Sequence, residues 1–122
     1  MKKKLFAAIA AGAMLCGMLT APVSAAETYQ KGDVNMDGSV DVGDAQRILT
    51  EYVWFMLGIG CTFTPEQIEL CSITKSTTSD PCGNTVAFDV ADAQIVWLYS
   101  TDKIAKRPVP DTVEEYYEQR WK

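Results

Sequence analysis

Apolar residues recur at helical spacing in two separate segments of the chain. The first segment spans roughly 42–57, and its apolar positions are Ala45, Ile48, Leu49, Tyr52, Val53 and Met56. The second spans roughly 90–103, and its apolar positions are Ala93, Val96, Trp97 and Ile104. Residues three and four apart lie on the same side of a helix, so each segment predicts a helix whose apolar stripe faces the core.

A short helix is predicted between these two, at about 65–70. Thr64 is a typical N-cap, Pro65 suits the first helical position, and Gln67 completes a capping box. Residues 72–85 are rich in Ser, Thr, Asp, Pro and Gly, which predicts a loop. The tail at 108–122 can form one or two helical turns, and its aromatic residues either fold back on the core or stay exposed.

The chain contains an internal repeat. The segment VDVGDAQ at 40–46 returns as FDVADAQ at 88–94, which is 48 residues later. Such self-similarity is typical of a supersecondary unit that occurs twice. We therefore expect an all-α fold of three helices, built from two loop–helix units with pseudo-twofold symmetry, in which each unit buries the apolar stripe of the other.

The N-terminus has the pattern of a secretory signal peptide. Three lysines at positions 2–4 precede an uncharged apolar run at 5–19, and small residues follow at 21–25. A membrane anchor is the alternative, but the run is short for a full span. A lipoprotein signal is rejected because Leu15, before Cys16, is not a small residue. We expect a signal peptide at 1–25, a domain at 26–107 and a tail at 108–122.

Composition narrows the classes of function. Removal of the three lysines changes the formal net charge from −5 to −8, and a domain this acidic is not expected to bind nucleic acid. The chain contains no histidine, which excludes Ser-His-Asp and Cys-His catalysis and histidine-ligated zinc. A secreted domain this small often depends on a metal or a disulfide for stability, and no membrane association is expected after cleavage.

Three cysteines remain in the predicted secreted chain. Cys61 and Cys71 flank the short predicted helix, which would hold them apart, so a Cys71–Cys82 disulfide is the favoured pairing. The alternative, three unpaired thiols, has nearly equal weight.

Residues 33–44, DVNMDGSVDVGD, have the spacing of a calcium-binding loop. Oxygen donors fall at loop positions 1, 3, 5, 7, 9 and 12, and they are Asp33, Asn35, Asp37, Ser39 through its carbonyl, Asp41 and Asp44. Gly38 stands at position 6, where the loop turns sharply. The departure is Asp44, since Glu is common at position 12. The alternative is a polar surface turn, which this many donors in register disfavour.

The repeat predicts a second loop before the second long helix. Counting back from Asp92 leaves carboxylates only at positions 9 and 12, from Asp89 and Asp92, and Val86 replaces the glycine. One inserted residue would add Asp80 and Asn84 as ligands. We expect this loop to bind calcium weakly or not at all, because most of the early ligands are missing.

Three segments together resemble a dockerin, the calcium-dependent adaptor of cellulosomes. They are GDVNMDGSVDVGDAQRILTEYV at 32–53, TPEQIELC at 64–71 and FDVADAQIVWLYS at 88–100. The resemblance implies a secreted, extracellular module without enzymatic activity, monomeric before docking. It would bind Ca²⁺ through EF-hand-type loops and attach to a cohesin module of a scaffoldin, in a complex that degrades plant polysaccharides.

The resemblance also implies contact positions for the partner, just after each loop and along the following helix. These are Val42, Gly43, Thr50 and Trp54 in the first repeat and Val90, Ala91 and Leu98 in the second. Independently of the resemblance, the sequence pattern indicates three contact residues: Ile95, Leu98 and Tyr99. They form an apolar outer face on the last long helix, which predicts an interface. The alternative is that the tail covers this face.

The same residues suggest two other functions. The first is a secreted calcium-binding domain that is only structural and has no cohesin partner. The second is a glycosidase that uses paired carboxylates. The acidic residues that cluster are already explained as calcium ligands, so no enzyme activity is expected.

Overall fold

The structure, a computed structural model, describes residues 28–122, so the predicted signal peptide lies outside it. This part of the chain is mostly helical, as an all-α class requires. Its helices are α1 (Val42–Met56), α2 (Pro65–Cys71), α3 (Val90–Ile104) and α4 (Val113–Trp121). Two short antiparallel strands, β1 (Thr78–Ser79) and β2 (Thr85–Val86), form a hairpin between α2 and α3. No helix within 28–122 is long and apolar enough to cross a membrane.

The three predicted helices are confirmed to within one or two residues at their ends. Each begins at the residue that the sequence marks as its cap. Asp41 caps α1, Thr64 caps α2 and Asp89 caps α3, and each helix has a complete capping box. These caps satisfy main-chain N–H groups that the first helical turn leaves without partners.

The three helices predicted for 26–107 are present, and the tail, for which one or two helical turns were expected, forms a fourth. Thr112 caps α4 and accepts a hydrogen bond from the N–H of Glu115 at 3.3 Å. Thr64 and Thr112 are 48 residues apart, so the offset that relates α1 to α3 also relates α2 to α4. The segment at 72–85 was predicted to be a loop, and the structure forms the β1–β2 hairpin there. The repeat therefore includes a short helix after each long one.

The core lies between α1 and α3, with α2 and α4 at its sides. Its fully buried members include Val34, Ile48, Phe88, Val96 and Val113. The rings of Phe63 and Phe88 pack with centroids 5.8 Å apart. Part of each predicted stripe is outside this core, since two of the six residues of the first stripe and two of the four of the second are exposed: Leu49, Val53, Trp97 and Ile104.

The prediction that Ile95 and Tyr99 form an exposed face of α3 is wrong. Ile95 is 4% exposed and Tyr99 is 2% exposed. The Tyr99 hydroxyl donates to the carbonyls of Pro110 and Asp111 at 3.3 and 3.2 Å. The Tyr99 ring meets the ring of Tyr116 edge to face at 5.5 Å. The tail therefore covers Tyr99, one of the three residues of the predicted face.

Asp102 fastens the tail to the end of α3. Its carboxylate accepts hydrogen bonds from Arg107 at 2.8 Å, from Arg120 at 2.9 Å and from the Tyr116 hydroxyl at 2.6 Å. The Tyr116 hydrogen bond, followed by those from the two arginines, lowers the pKa of Asp102 below its ordinary value. One carboxylate thus joins three side chains that the linear sequence keeps apart.

The predicted Cys71–Cys82 disulfide is not formed, and all three cysteines of the described chain are free thiols. Cys71 ends α2 inside the core, where its thiol donates to the carbonyl of Ile68 at 3.2 Å. Cys82 is exposed at the tip of the hairpin. Because the hairpin carries Cys82 away from the core, the polar segment is ordered by strand pairing and not by a covalent bridge.

Removing the Tyr99 hydroxyl should weaken the attachment of the tail. We expect Tyr99→Phe to lower the free energy of unfolding by about 1 kcal/mol, the net value of a typical hydrogen bond. Tyr117→Phe is the control, because Tyr117 is only half-buried and stacks on Trp121 through its ring. Chemical denaturation of both variants measures the difference, and equal stabilities would contradict this role for Tyr99.

Asp102 should make stability depend on acid pH. Its pKa is lower in the folded chain than in the unfolded chain, so the ionised group contributes stability above the ordinary value of 3.8. This contribution is lost as the pH falls through the lowered pKa. Asp102→Asn should therefore be less stable than the unmodified chain near about pH 7, and the gap should close toward about pH 3. Denaturation at stepwise pH tests this, with the exposed Asp111→Asn as the matched charge control.

Candidate calcium site and partner surface

The first loop turns around the buried carboxylate of Asp33. This side chain is 1% exposed and accepts hydrogen bonds from the N–H of Asp37 at 3.2 Å and of Gly38 at 2.9 Å. Gly38 has a φ of +93°, in the region that L side chains rarely adopt. The predicted need for glycine at the sixth position is therefore confirmed by the backbone.

Asp44 joins the start of the loop to the start of α1. Its Oδ1 accepts the N–H groups of Val34 and Asn35 at 3.0 and 3.1 Å, and its Oδ2 accepts that of Asp41 at 2.9 Å. The side chain is fully buried. The Asp44 carboxylate thus ties the two ends of the loop together.

The remaining predicted ligands lie on the exposed side of the same loop. Asp37 accepts hydrogen bonds from the N–H and the hydroxyl of Ser39 at 2.9 and 3.0 Å and from the amide of Asn35 at 3.0 Å. Asp41 accepts the N–H of Gly43 at 2.7 Å. The structure therefore places all six predicted ligand residues in one loop, at 33–44, directly before α1.

The carboxylates of this loop are close enough to affect one another. Burial raises the pKa of Asp44 to about 6, hydrogen bonds from the Asp41 and Asn35 amides oppose the shift, and the charges of Asp41 and Asp33 add to it. The hydrogen bonds from Ser39 lower the pKa of Asp37. The loop therefore concentrates negative charge, which a bound cation would neutralise.

The donor set fits calcium by its chemistry. As the side chains stand, no three acidic or cysteine residues within 28–122 converge on a point that could hold a metal. Carboxylate, amide and main-chain carbonyl oxygens are nevertheless the ligands that calcium takes. Each carboxylate oxygen that accepts one hydrogen bond keeps a further lone pair for a cation.

The second loop repeats the hydrogen-bond frame of the first at a different register. The Oδ1 of Asp92 accepts the N–H groups of Ile73 and Thr74 at 2.9 and 2.8 Å, and its Oδ2 accepts that of Asp89 at 2.8 Å. This matches the three bonds of Asp44. Ile73 and Asp92 are 19 residues apart, whereas Val34 and Asp44 are 10 apart, so the second loop is nine residues longer.

Other details support the same correspondence. Lys75 has a φ of +59°, close to the +57° of Met36. The Ser76 N–H lies 3.3 Å from the Thr74 hydroxyl oxygen, as the Asp37 N–H lies 3.1 Å from the Asn35 side-chain oxygen. The second loop therefore begins at Ser72. Hydroxyl residues take the places of three early ligands, and these are Ser72, Thr74 and Ser76.

This register corrects the prediction that Asp80 and Asn84 are second-site ligands. They bond each other in the hairpin, where Asp80 accepts the main-chain N–H of Asn84 and its side-chain amide, both at 2.8 Å. The Asn84 side chain lowers the pKa of Asp80. Both residues lie in the nine-residue insertion. Counting back along 12 contiguous residues could not detect it.

A groove of about 590 Å³ runs between α1 and α3. Its walls come from matching positions of the two repeats: Val42, Ala45, Gln46 and Leu49 from α1, and Val90, Ala93, Gln94, Trp97 and Leu98 from α3. Leu49 and Trp97 are exposed although both are large and apolar. Such a surface on a small domain is typical of a contact site for another protein.

A smaller hollow of about 390 Å³ adjoins the outer side of α1. Its lining residues are Gly43, Gln46, Arg47, Thr50, Glu51, Trp54 and Thr62. Glu51 is buried beneath it and accepts hydrogen bonds from the N–H of Thr62 at 2.7 Å and from the Thr62 hydroxyl. The carboxylate thereby fixes the segment after α1 in place.

The predicted partner residues divide among these surfaces. Val42, Val90 and Leu98 line the groove. Gly43, Thr50 and Trp54 line the hollow. Ala91 lines neither, and Ile95 and Tyr99 are buried. The sequence reasoning missed Gln46, Leu49, Gln94 and Trp97 as surface residues. Their pairing at the 48-residue offset was the available signal.

A scan against models of protein families finds no match, and a search of curated proteins finds no significant match.

We predict that the first loop holds any calcium that the chain binds. We expect Asp33→Ala with Asp37→Ala to abolish the heat of calcium binding in titration calorimetry and to reduce helicity, because ligand charge determines affinity. Asp80→Ala with Asn84→Ala removes two polar side chains of the hairpin and should leave calcium binding unchanged. Unchanged stoichiometry in the first variant, or loss of binding in the second, would contradict the assignment.

Proposed function

We propose that this chain is a secreted, calcium-dependent adaptor of the dockerin type that binds a cohesin module of a scaffoldin. In this proposal α1 and α3 belong to two EF-hand-type repeats, and the chain carries no catalytic residue of its own. The dockerin resemblance of residues 32–53, 64–71 and 88–100 motivates the choice of partner.

The observation that carries the proposal is the groove between α1 and α3. It presents equivalent apolar positions from both repeats, with Leu49 and Val42 on one side and Trp97 and Val90 on the other. Gln46 and Gln94 add hydrogen-bonding groups among them. An apolar centre with a few polar groups is the composition of protein–protein interfaces, and large aromatic side chains carry much of their binding energy.

Calcium would be held in this proposal by the first loop, through Asp33, Asn35, Asp37, the Ser39 carbonyl, Asp41 and Asp44. Bound there, the cation would neutralise the carboxylates that the loop crowds together. Asp44 lies in the first turn of α1, and Val42 and Ala45 of the same turn line the groove. The loop therefore positions one wall of the partner surface.

The buried carboxylates have partners that favour structural roles. Asp44 and Asp92 accept main-chain N–H groups, Glu51 accepts Thr62, and Asp102 is held by two arginines and a tyrosine. None of these arrangements resembles a free acid paired with a nucleophile, so the adaptor function is preferred to hydrolysis.

Binding to cohesins of the source organism tests the proposal directly. Titration calorimetry should record binding in the presence of calcium and its loss in the presence of a chelator. Calcium binding without affinity for any cohesin would instead support the alternative of a purely structural calcium-binding domain.

The groove should lose affinity when its largest anchor is removed. We expect Trp97→Ala to weaken cohesin binding by about 2 kcal/mol, or roughly 30-fold, as is typical of a central aromatic anchor. Trp121→Ala is a matched control, because Trp97 is 49% exposed and Trp121 is 48% exposed while only Trp97 lines the groove. Equal effects of the two substitutions on cohesin binding would contradict the assignment of the groove as the docking surface.

A further inference from the structure

The two loops share one hydrogen-bond frame but differ in charge. The first loop carries four carboxylates, at Asp33, Asp37, Asp41 and Asp44. At the matching positions the second keeps only Asp89 and Asp92, because hydroxyl residues occupy the positions of the early ligands, and its other acid, Asp80, lies in the hairpin. The same backbone turn is therefore built once with acidic residues and once largely without them.

We propose that calcium orders only the first repeat, whereas the second repeat keeps its fold without metal. The inference rests on the calcium site proposed above and concerns its regulation. In this scheme the ion controls the loop at 33–44 and the first turns of α1, while α3 and α4 stay in place.

The first loop has little other means of balancing its charge. Residues 33–44 contain no lysine or arginine. The neighbouring Lys31 directs its ammonium to the carbonyls of Glu69 and Ser72, at 2.5 and 3.5 Å. Asp33 and Asp44 are nevertheless buried. Like charges held together in a poorly solvated turn destabilise it, so removal of the cation should open this segment.

The second loop has less negative charge to balance at the same backbone turn. Asp92 is satisfied by three main-chain N–H groups, and Asp89 accepts the N–H of Ala91 at 2.8 Å. The insertion is ordered by strand pairing between Ser79 and Thr85. Two carboxylates stand at the ligand positions of this loop and four at those of the first, so removal of a cation should change this half less.

The tail adds stability to the same half. Tyr99 bonds the main chain at 110–111, and Asp102 holds Arg107, Arg120 and Tyr116. The first repeat has a smaller counterpart, in which Glu51 accepts hydrogen bonds from the N–H and the hydroxyl of Thr62. Segments with fewer buried contacts open at lower free energy than the rest of a domain. The calcium-dependent half is therefore also the less strongly fastened half.

The division passes through the partner groove. One wall, with Val42 and Leu49, belongs to the calcium-dependent repeat, and the other wall, with Val90 and Trp97, belongs to the metal-free repeat. Loss of calcium would thus remove one wall of the surface and leave the other formed. The ion would switch docking through α1 alone.

Amide hydrogen exchange of the full chain, with excess calcium and with chelator, tests the proposal. Chelation should accelerate exchange at 34–48 by about 100-fold, the effect expected when a ligand present at 100 times its dissociation constant is removed. Amides at 92–104 and 113–121 should change by less than about tenfold. Equal acceleration in both halves, or no change in either, overturns the inference.

A pair of variants tests the register of the second loop. Ser72→Asp with Ser76→Asp places carboxylates where the first loop has Asp33 and Asp37, and exchange at 73–79 and at the start of α3 should then depend on calcium. Ser79→Asp with Thr85→Asp adds the same charge to the hairpin and should leave that dependence absent. If the first variant does not fold, hydrogen exchange of the unmodified chain with calcium and with chelator still tests the difference between the two repeats.

The two proposals fail in different ways. Absence of calcium binding in calorimetry would overturn the calcium-dependent function together with this inference. Binding of calcium and cohesin, combined with equal exchange in both halves, would overturn only the division between the repeats.

Discussion

The rest of the fold depends on one interaction that occurs twice. An aspartate in the first turn of each long helix accepts hydrogen bonds from the main chain of the preceding loop. Asp44 and Asp92 each accept three N–H groups, two from the start of the loop and one from the helix cap. This fixes where α1 and α3 leave their loops, so their buried sides meet in the core. A buried carboxylate is costly unless it is satisfied, which makes these contacts specific as well as stabilising.

With the helix starts fixed, the two ends of each repeat are tied by side chains at matching positions. Glu51 and Tyr99 are 48 residues apart, and each bonds the segment that leads into the following short helix. The chemistry differs, since one is an acceptor and the other a donor, but the mechanical result is the same. The inner faces of α1 and α3 are used by the core and by these ties, which leaves the groove as the shared outer surface.

The parts of the structure that were predictable from sequence have local causes. The caps at Asp41, Thr64 and Asp89 and the turn at Gly38 follow from neighbouring residues, and the structure has them where the sequence indicates. The errors have distant causes. The attachment of α4 requires Asp102 to meet Arg120. The burial of Tyr99 requires the tail to fold back, and the register of the second loop requires an insertion that no fixed spacing reveals.

The hairpin between α2 and α3 also has a practical consequence. It lengthens a loop by nine residues without disturbing the frame around Asp92, in line with the small entropic cost of extending a surface loop. Its tip carries Cys82, the one exposed thiol among the described residues, while Cys71 is sealed in the core. The fold thus offers a built-in attachment point for a fluorophore or a surface tether outside the groove, through which assembly could be followed on the native chain.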